Sequence, residues 1–464
     1  MLRAFFLFLI SIAHLAAAGP VYVVLWFDTE DYIEPAADDA ALRIAQDLTK
    51  LGARATFKIT GEKARVLSAR GRADVIRAIR HHEIGYHSDW HSIQPVPALY
   101  LRRFGYVEGA GEFARRERAG LADVRRIFGM DPVCYGQPGS SWAPQANLAL
   151  RRMNVPVYLD EGSHVGLNGQ PFWYGGLFYV FNMGPNLIRA ELKQEAGASN
   201  QAFDAIVKRL AAAGGGVIST YYHPTEFIAT EFWDAVNFSR GALPPRSEWK
   251  PPRRRTPEDS ERCYRILREY VSHALSVPGV QFATARDLLG IYENPAPPVW
   301  DRRRVAEQFF REITFLETPA GTLSAADMLL QLLHLNPQVV DGPSTRGKTT
   351  VAAATIPPHL FERAKQDAAD YIRTHRRLPA EVFIGAESLA LEDFAATLAG
   401  TELSPGAIRL ARGKLAFERF FDTDARGAFD WPIHPAGFAA PELLELARLQ
   451  GWTLKPARLR PPGR

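Results

Sequence analysis

From Val21 onward, short runs of β-branched and aromatic residues alternate with amphipathic stretches, the rhythm of a chain that builds strand and helix in turn. Val21–Phe27 is apolar throughout and predicts a strand buried on both faces. Asp38–Leu51 predicts a helix stopped at Gly52, and Ala53–Ile59 the next strand. Next come a helix over Ala73–Ile79, a strand over His82–Tyr86 and a long basic helix over Gly111–Phe128, stopped by Gly129. Val155–Leu159, the helix Ala202–Ala212, the strand Val217–Tyr222 and a last strand and turn over Gln281–Leu289 continue the series. This alternation predicts an α/β fold with a parallel sheet or a (β/α) barrel over residues 19–293.

The Pro-rich stretch at 294–299 reads as a linker. Beyond it, residues 300–464 turn alanine- and leucine-rich and predict a smaller α-rich domain, with helices over Ala325–Leu335, Leu360–Thr374, Leu389–Leu398 and Leu443–Leu449. Leu323, Asp327, Met328 and Leu332 share a pattern with Leu389, Asp393, Phe394 and Leu398, and each set comes after a short apolar strand, Ile313–Leu316 or Val382–Ile384. The echo suggests a duplicated strand–helix unit. At the other end, residues 1–18 carry one arginine, a short apolar stretch and three terminal alanines, the pattern of a cleaved signal peptide. A secreted or periplasmic protein with no membrane span after cleavage is expected.

Composition narrows the chemistry. The 464 residues are 47% hydrophobic and 23% charged, a globular balance with two or three domains' worth of chain. A net charge of +4 does not argue for nucleic acid. Two cysteines, Cys134 and Cys263, exclude a disulfide scaffold, an iron–sulfur cluster and a Cys-rich zinc module, though an oxidising compartment leaves their pairing open. The informative residues are among the histidines and carboxylates.

Three segments lie at the C-terminal ends of predicted strands, where a barrel builds its chemistry. Asp28-Thr29-Glu30-Asp31 places three carboxylates in four positions, which repel one another unless a cation or donors compensate. His87-Ser88-Asp89-Trp90-His91 puts two imidazoles four residues apart, within reach of one ion if the turn is helical. Tyr222-His223-Pro224 ends the strand Val217–Tyr222. Together they offer a carboxylate and two imidazoles for a metal, a spare carboxylate base and a spare histidine acid.

In this order, and with Glu83-Ile84-Gly85-Tyr86 leading into His87, the segments resemble the motifs of the polysaccharide deacetylase (NodB-homology, carbohydrate esterase family four) superfamily. The resemblance implies a distorted (β/α) barrel of seven or eight strands and a divalent metal, zinc above others. It implies His87 and His91 as ligands with Glu30 or Asp31 as the acidic one, and strand alternation favours Glu30. Asp28 would be the general base, His223 the acid that protonates the leaving group, and Asp160 a group orienting His223. The family's third-motif arginine is missing, with Gly136 or Gln137 in its place. Trp90, Tyr135, Trp142 and Tyr222 flank these segments as candidate sugar contacts.

The implied function is removal of acetyl groups from a cell-envelope or extracellular polysaccharide or oligosaccharide. A non-catalytic glycan-binding protein on the same fold, or a hydrolase of another C–N bond, is the alternative. The C-terminal pattern Tyr371-Ile372, Leu378-Pro379, Val382, Leu389 and Asp393-Phe394 faintly resembles pseudomurein-binding repeats, which would imply contact with a cell-wall glycan. Gly342–Thr349 fits the P-loop expression but lacks a solid strand before it, and Pro357-Pro358 breaks the helix that a P-loop needs after it. Gly109–Ala114 resembles GxGxxA and reads as a loop leading into a helix, and Arg246–Arg255 as a solvated basic loop.

Overall fold

The computed structural model describes residues 19–189, 192, 196–293, 300–318 and 321–460. The expected signal peptide and linker lie outside these residues. An eleven-stranded mixed sheet organises the chain. Its strands include β1 (Val21–Thr29), β2 (Thr56–Ile59), β3 (Glu83–Tyr86), β4 (Cys134–Tyr135), β5 (Val157–Leu159), β6 (Phe172–Tyr174), β7 (Leu177–Val180), β8 (Leu187–Ile188), β9 (Gly216–Tyr222) and β10 (Val280–Phe282). Neighbours run β6-β7-β5-β4-β3-β2-β1-β9-β8, parallel except for the antiparallel β6–β7 pair, and β10 pairs with the start of β1.

β1 is buried on both faces, as its unbroken apolar run demands. Val21, Val23, Leu25 and Phe27 pack with the helices, including α1 (Ala36–Leu51), whereas Val24 and Trp26 join the core on the opposite face. Gly52 ends α1 at φ 76°, a left-handed stop that a residue with a Cβ rarely adopts. The long basic helix starts earlier than expected, at Tyr106, and so takes in Gly109–Ala114. That segment is therefore helix rather than loop, because Gly109 lets the helix press against Gln145, whose Cγ would sit 2.8 Å from an added Cβ.

The C-terminal region is not set apart from this sheet. Its strand Lys455–Pro456 pairs antiparallel with β6, and Tyr292–Glu293 pairs with Arg458–Leu459. One hydrophobic core runs from β1 through Leu329, Phe394 and Leu444 to Leu454. The internal echo is structural: Leu316–Thr318 with Gly321–Leu323, and Glu381–Ile384 with Glu387–Ala390, are two antiparallel hairpins, each leading into a helix. Leu389, expected in a helix, belongs to the second hairpin. Gly342–Thr349 is irregular chain with no helix before Pro358, which leaves the P-loop resemblance without its fold. Cys134 and Cys263 are each buried and free, so the open pairing is not made. Among the described residues no helix is long and apolar enough to cross a membrane.

Candidate metal centre and pocket

Register brings the polar residues to one level. β1 and β2 pair with Asp28 opposite Lys58, and Lys58 lies opposite Gly85 of β3. With Phe57 and Ile59 in the helix-side core, alternation turns Lys58 to the face that carries Trp26 and Asp28. Its ammonium sits 4.1 Å over the Trp26 ring, 2.9 Å from Asp28 Oδ1 and 2.7 Å from Asp160 Oδ2, and it donates to the Leu159 carbonyl at 2.9 Å. Burial opposes its charge, but Asp160 and Asp28 outweigh that and raise its pKa above the ordinary lysine value.

Beyond this buried cation, Glu30, His87 and His91 converge. Glu30 Oε2 lies 2.8 Å from the Nε2 atoms of both histidines, and Glu30 Oε1 accepts a hydrogen bond from Trp233 Nε1 at 3.0 Å. Each ring turns its other nitrogen to an outer partner. His87 Nδ1 reaches the Gly136 carbonyl at 3.1 Å, and His91 Nδ1 reaches Ser92 Oγ at 2.6 Å, with Asp234 behind it. Such outer contacts fix tautomer and ring direction in metal-binding histidines. A second trio, Asp28, His87 and Asp160, is also close enough for an ion. There the Lys58 ammonium already supplies the positive charge, so the candidate donor set for an ion is Glu30, His87 and His91. One carboxylate and two imidazoles facing a common point suit zinc or a similar divalent ion, with room for a further ligand.

The turn carrying the two histidines is not helical. Ser88 has φ 67° and His91 φ 56°, conformations few non-glycine residues adopt. Glu117 fixes the turn by accepting from Ser88 Oγ and the Asp89 N–H, while the Gly61 and Glu62 N–H groups donate to the Ser88 and Asp89 carbonyls. The HxxxH spacing thus meets at one point through an irregular loop rather than through helical periodicity.

Asp31 turns away from the centre. It accepts from the Ile33 and Glu34 N–H groups and from Thr225 Oγ1. His223 faces the centre, its Nε2 3.7 Å from Asp28 Oδ2. Its Nδ1 pairs with Glu226 Oε2 at 2.9 Å, so Glu226, not Asp160, orients it. Burial opposes a charged His223, yet the Glu226 hydrogen bond and charge, with Glu30 and Asp28, raise its pKa to about 9. Asp160 serves Lys58 instead, and burial lifts it to about 6 against the pull of that ammonium.

No known family profile matches the chain, and no curated protein sequence matches it. Among solved structures it is similar to a family 4 carbohydrate esterase from Streptomyces lividans in complex with acetate, at 14% identity over 58% of this chain and 94% of that one, TM-score 0.32. It is similar to a family 4 acetyl xylan esterase from Clostridium thermocellum in complex with cobalt, at 16% identity over 58% and 90%, TM-score 0.29. A 4-alpha-glucanotransferase from Thermococcus litoralis is similar at 12% identity over 59% and 40%, TM-score 0.40. Likeness this distant carries no function; the side chains have to.

The centre opens into a cavity of about 280 Å³ lined by Asp28, Glu30, His87, His91, Asp160 and His223. The aromatic residues expected there lie elsewhere. Tyr135, Trp142 and Tyr222 are buried in the core, and Trp90, 38% exposed, packs under Arg65 outside the cavity. Aromatic spacing alone does not distinguish core from site. Tyr221, Phe232 and Trp431 line the cavity instead. The basic loop Arg246–Arg255 is tied to its own chain, with Arg246 on Glu62, Arg254 on Glu34 and Arg255 on Asp259.

Gly136, one of the two residues at the expected arginine position, has a steric reason to lack a side chain. A Cβ there would lie 2.1 Å from both Lys58 Nζ and Asp160 Oδ2. Gly136→Ala is expected to destabilise the fold by about 1–3 kcal/mol, as overpacking does, and to lower activity with it. Denaturant unfolding checks this, and an unchanged midpoint would show that the lysine pocket has slack.

Proposed function

We propose that this chain is an exported, metal-dependent hydrolase of the polysaccharide deacetylase type, releasing acetate from an acetylated glycan of the cell envelope or surroundings. The carrying observation is the Glu30–His87–His91 donor set with Asp28 and His223 beside it. A bound divalent ion, zinc by its donor set, would supply Lewis acidity toward the acyl carbonyl and water. Asp28, held by Lys58, takes the proton from attacking water. His223, held by Glu226, gives its proton to the departing amine or hydroxyl. The missing third-motif arginine favours a non-catalytic glycan binder; Lys58 supplies a cation at the base and supports the hydrolase.

Metal content before and after His87→Ala/His91→Ala, together with acetate release from acetylated oligosaccharides, tests this reading. A wild type that takes up no zinc or cobalt would end it.

The pH profile carries a further expectation. The protonated form of His223 is the active one, so the rate falls as pH rises through its pKa, which is about 9 without metal and lower once a divalent ion neutralises Glu30. Glu226→Gln removes the charge that raises this pKa and moves the alkaline limb down toward the ordinary histidine value, about 6.5. A limb that stays in place in the variant would remove His223 as the proton donor.

A further inference from the structure

The C-terminal region contributes a wall of the pocket. The Trp431 N–H donates to Ser140 Oγ at 2.9 Å, and its indole Nε1 donates to Asp234 Oδ2 at 2.7 Å. Its ring meets Phe232 edge-on at 5.2 Å between centroids. Gly139, at φ 51°, makes room for it: a Cβ there would lie 2.3 Å from Trp431 Cδ1. The next two residues are anchored as firmly. The Pro432 carbonyl accepts from the Arg240 N–H, and the Ile433 carbonyl from the Gln94 side chain. Ile433 is buried with Tyr32, Val96, Trp233 and Phe238. Trp431 itself is half-buried, so part of a rigid indole remains open to the cavity.

We propose that Trp431 is a specificity-determining residue which confines the substrate to one acetylated sugar ring at a chain end, so that the C-terminal region is part of the active site. This rests on the hydrolase reading above. Two features carry it. The cavity, at about 280 Å³, lies at the small end of ligand sites, which run from about 300 to 1,000 Å³. Its lining combines the aromatic side chains of Phe232 and Trp431 with the polar groups of Asp160, Glu161 and Arg189, while Tyr221 is stacked on Trp26 and lies under Arg189. A pyranose offers apolar C–H faces and edge hydroxyls to such a mixed lining, and an indole face is a good platform for it. An internal ring must extend in two directions, and Trp431, fixed by the anchored segment that follows it, stands on one side.

The test uses fully acetylated chito-oligosaccharides of two to six units and acetylated xylo-oligosaccharides, with wild type, Trp431→Phe and Trp431→Ala. Mass spectrometry locates each lost acetyl group, and metal content verifies an intact centre. The wild type is expected to deacetylate a terminal unit only. Trp431→Ala should raise KM for the shortest substrates roughly tenfold, keep kcat within about threefold, and begin to act on internal units. Trp431→Phe should recover most of the wild-type pattern. Removal of internal acetyl groups by the wild type, or an alanine variant with unchanged KM and positions, overturns the inference and leaves the hydrolase standing. No acetate from any of these substrates overturns the hydrolase reading, and this inference with it.

Discussion

Alanine at His87 and His91 is expected to leave the protein without its metal. Both imidazoles aim Nε2 at one oxygen of Glu30, and each is held from behind, by the Gly136 carbonyl and by Ser92. Loss of an outer partner alone typically lowers metal affinity about 10–100-fold, and loss of two direct ligands goes well beyond that. One carboxylate cannot hold a zinc ion against dialysis. Zinc or cobalt measured after dialysis should therefore fall from about one per chain to background. Asp28→Asn is the contrasting variant. Asp28 is outside the Glu30–His87–His91 set, so metal should remain while acetate release drops about 10²–10⁴-fold, the contribution of a positioned general base. Full metal in the double-alanine protein would dissolve the centre, and retained turnover in Asp28→Asn would assign the base elsewhere.

Features with local signals are the ones legible in the sequence. β1, α1 and β9 announce themselves through unbroken apolar runs and glycine stops, and the structure has them within a few residues. Alternation alone places Asp28 and Glu30 on one face. The histidine turn reads as helical and is not, because its two left-handed residues are imposed from outside, by Glu117 and by the N–H groups of Gly61 and Glu62. Asp160 is a natural partner for His223 on motif order alone, whereas the group that orients the ring, Glu226, sits only three residues further on and looks like an ordinary turn carboxylate. The separation of residues 300–464 cannot be judged locally, since the ties are two strands of two residues, Lys455–Pro456 and Arg458–Leu459, and a core shared between residues far apart in the chain. Trp431 lies in an irregular stretch with no periodicity to read. Lys58 does leave a signal: Phe57-Lys58-Ile59 puts an ammonium in the middle of an apolar strand, which is tolerated only where anions await it.

That lysine gives the second large effect. Lys58→Met keeps most of the side chain's volume and deletes the charge, leaving Asp28 and Asp160 buried, close together and without their shared cation. Removing one partner of a buried ion pair costs about 3–5 kcal/mol, because the stranded charge has lost its compensation. The variant should unfold at clearly lower denaturant and lose nearly all acetate release, since the base is no longer held at the pocket. Asp160, at about 6 with the lysine in place, rises further once that ammonium no longer lowers it, so it can shed part of the cost by taking up a proton and the damage should be less at low pH than at alkaline pH. Lys58→Arg should not rescue, for the ammonium already touches three oxygens and a longer fork has nowhere to go. The decisive comparison is Lys58→Met/Asp160→Asn. It removes one cation and one anion together, so stability should return in part, while activity stays low because Asp28 still lacks its partner. If the single methionine variant were as stable and as active as wild type, Lys58 would be a passenger and the base would need another source of positive charge.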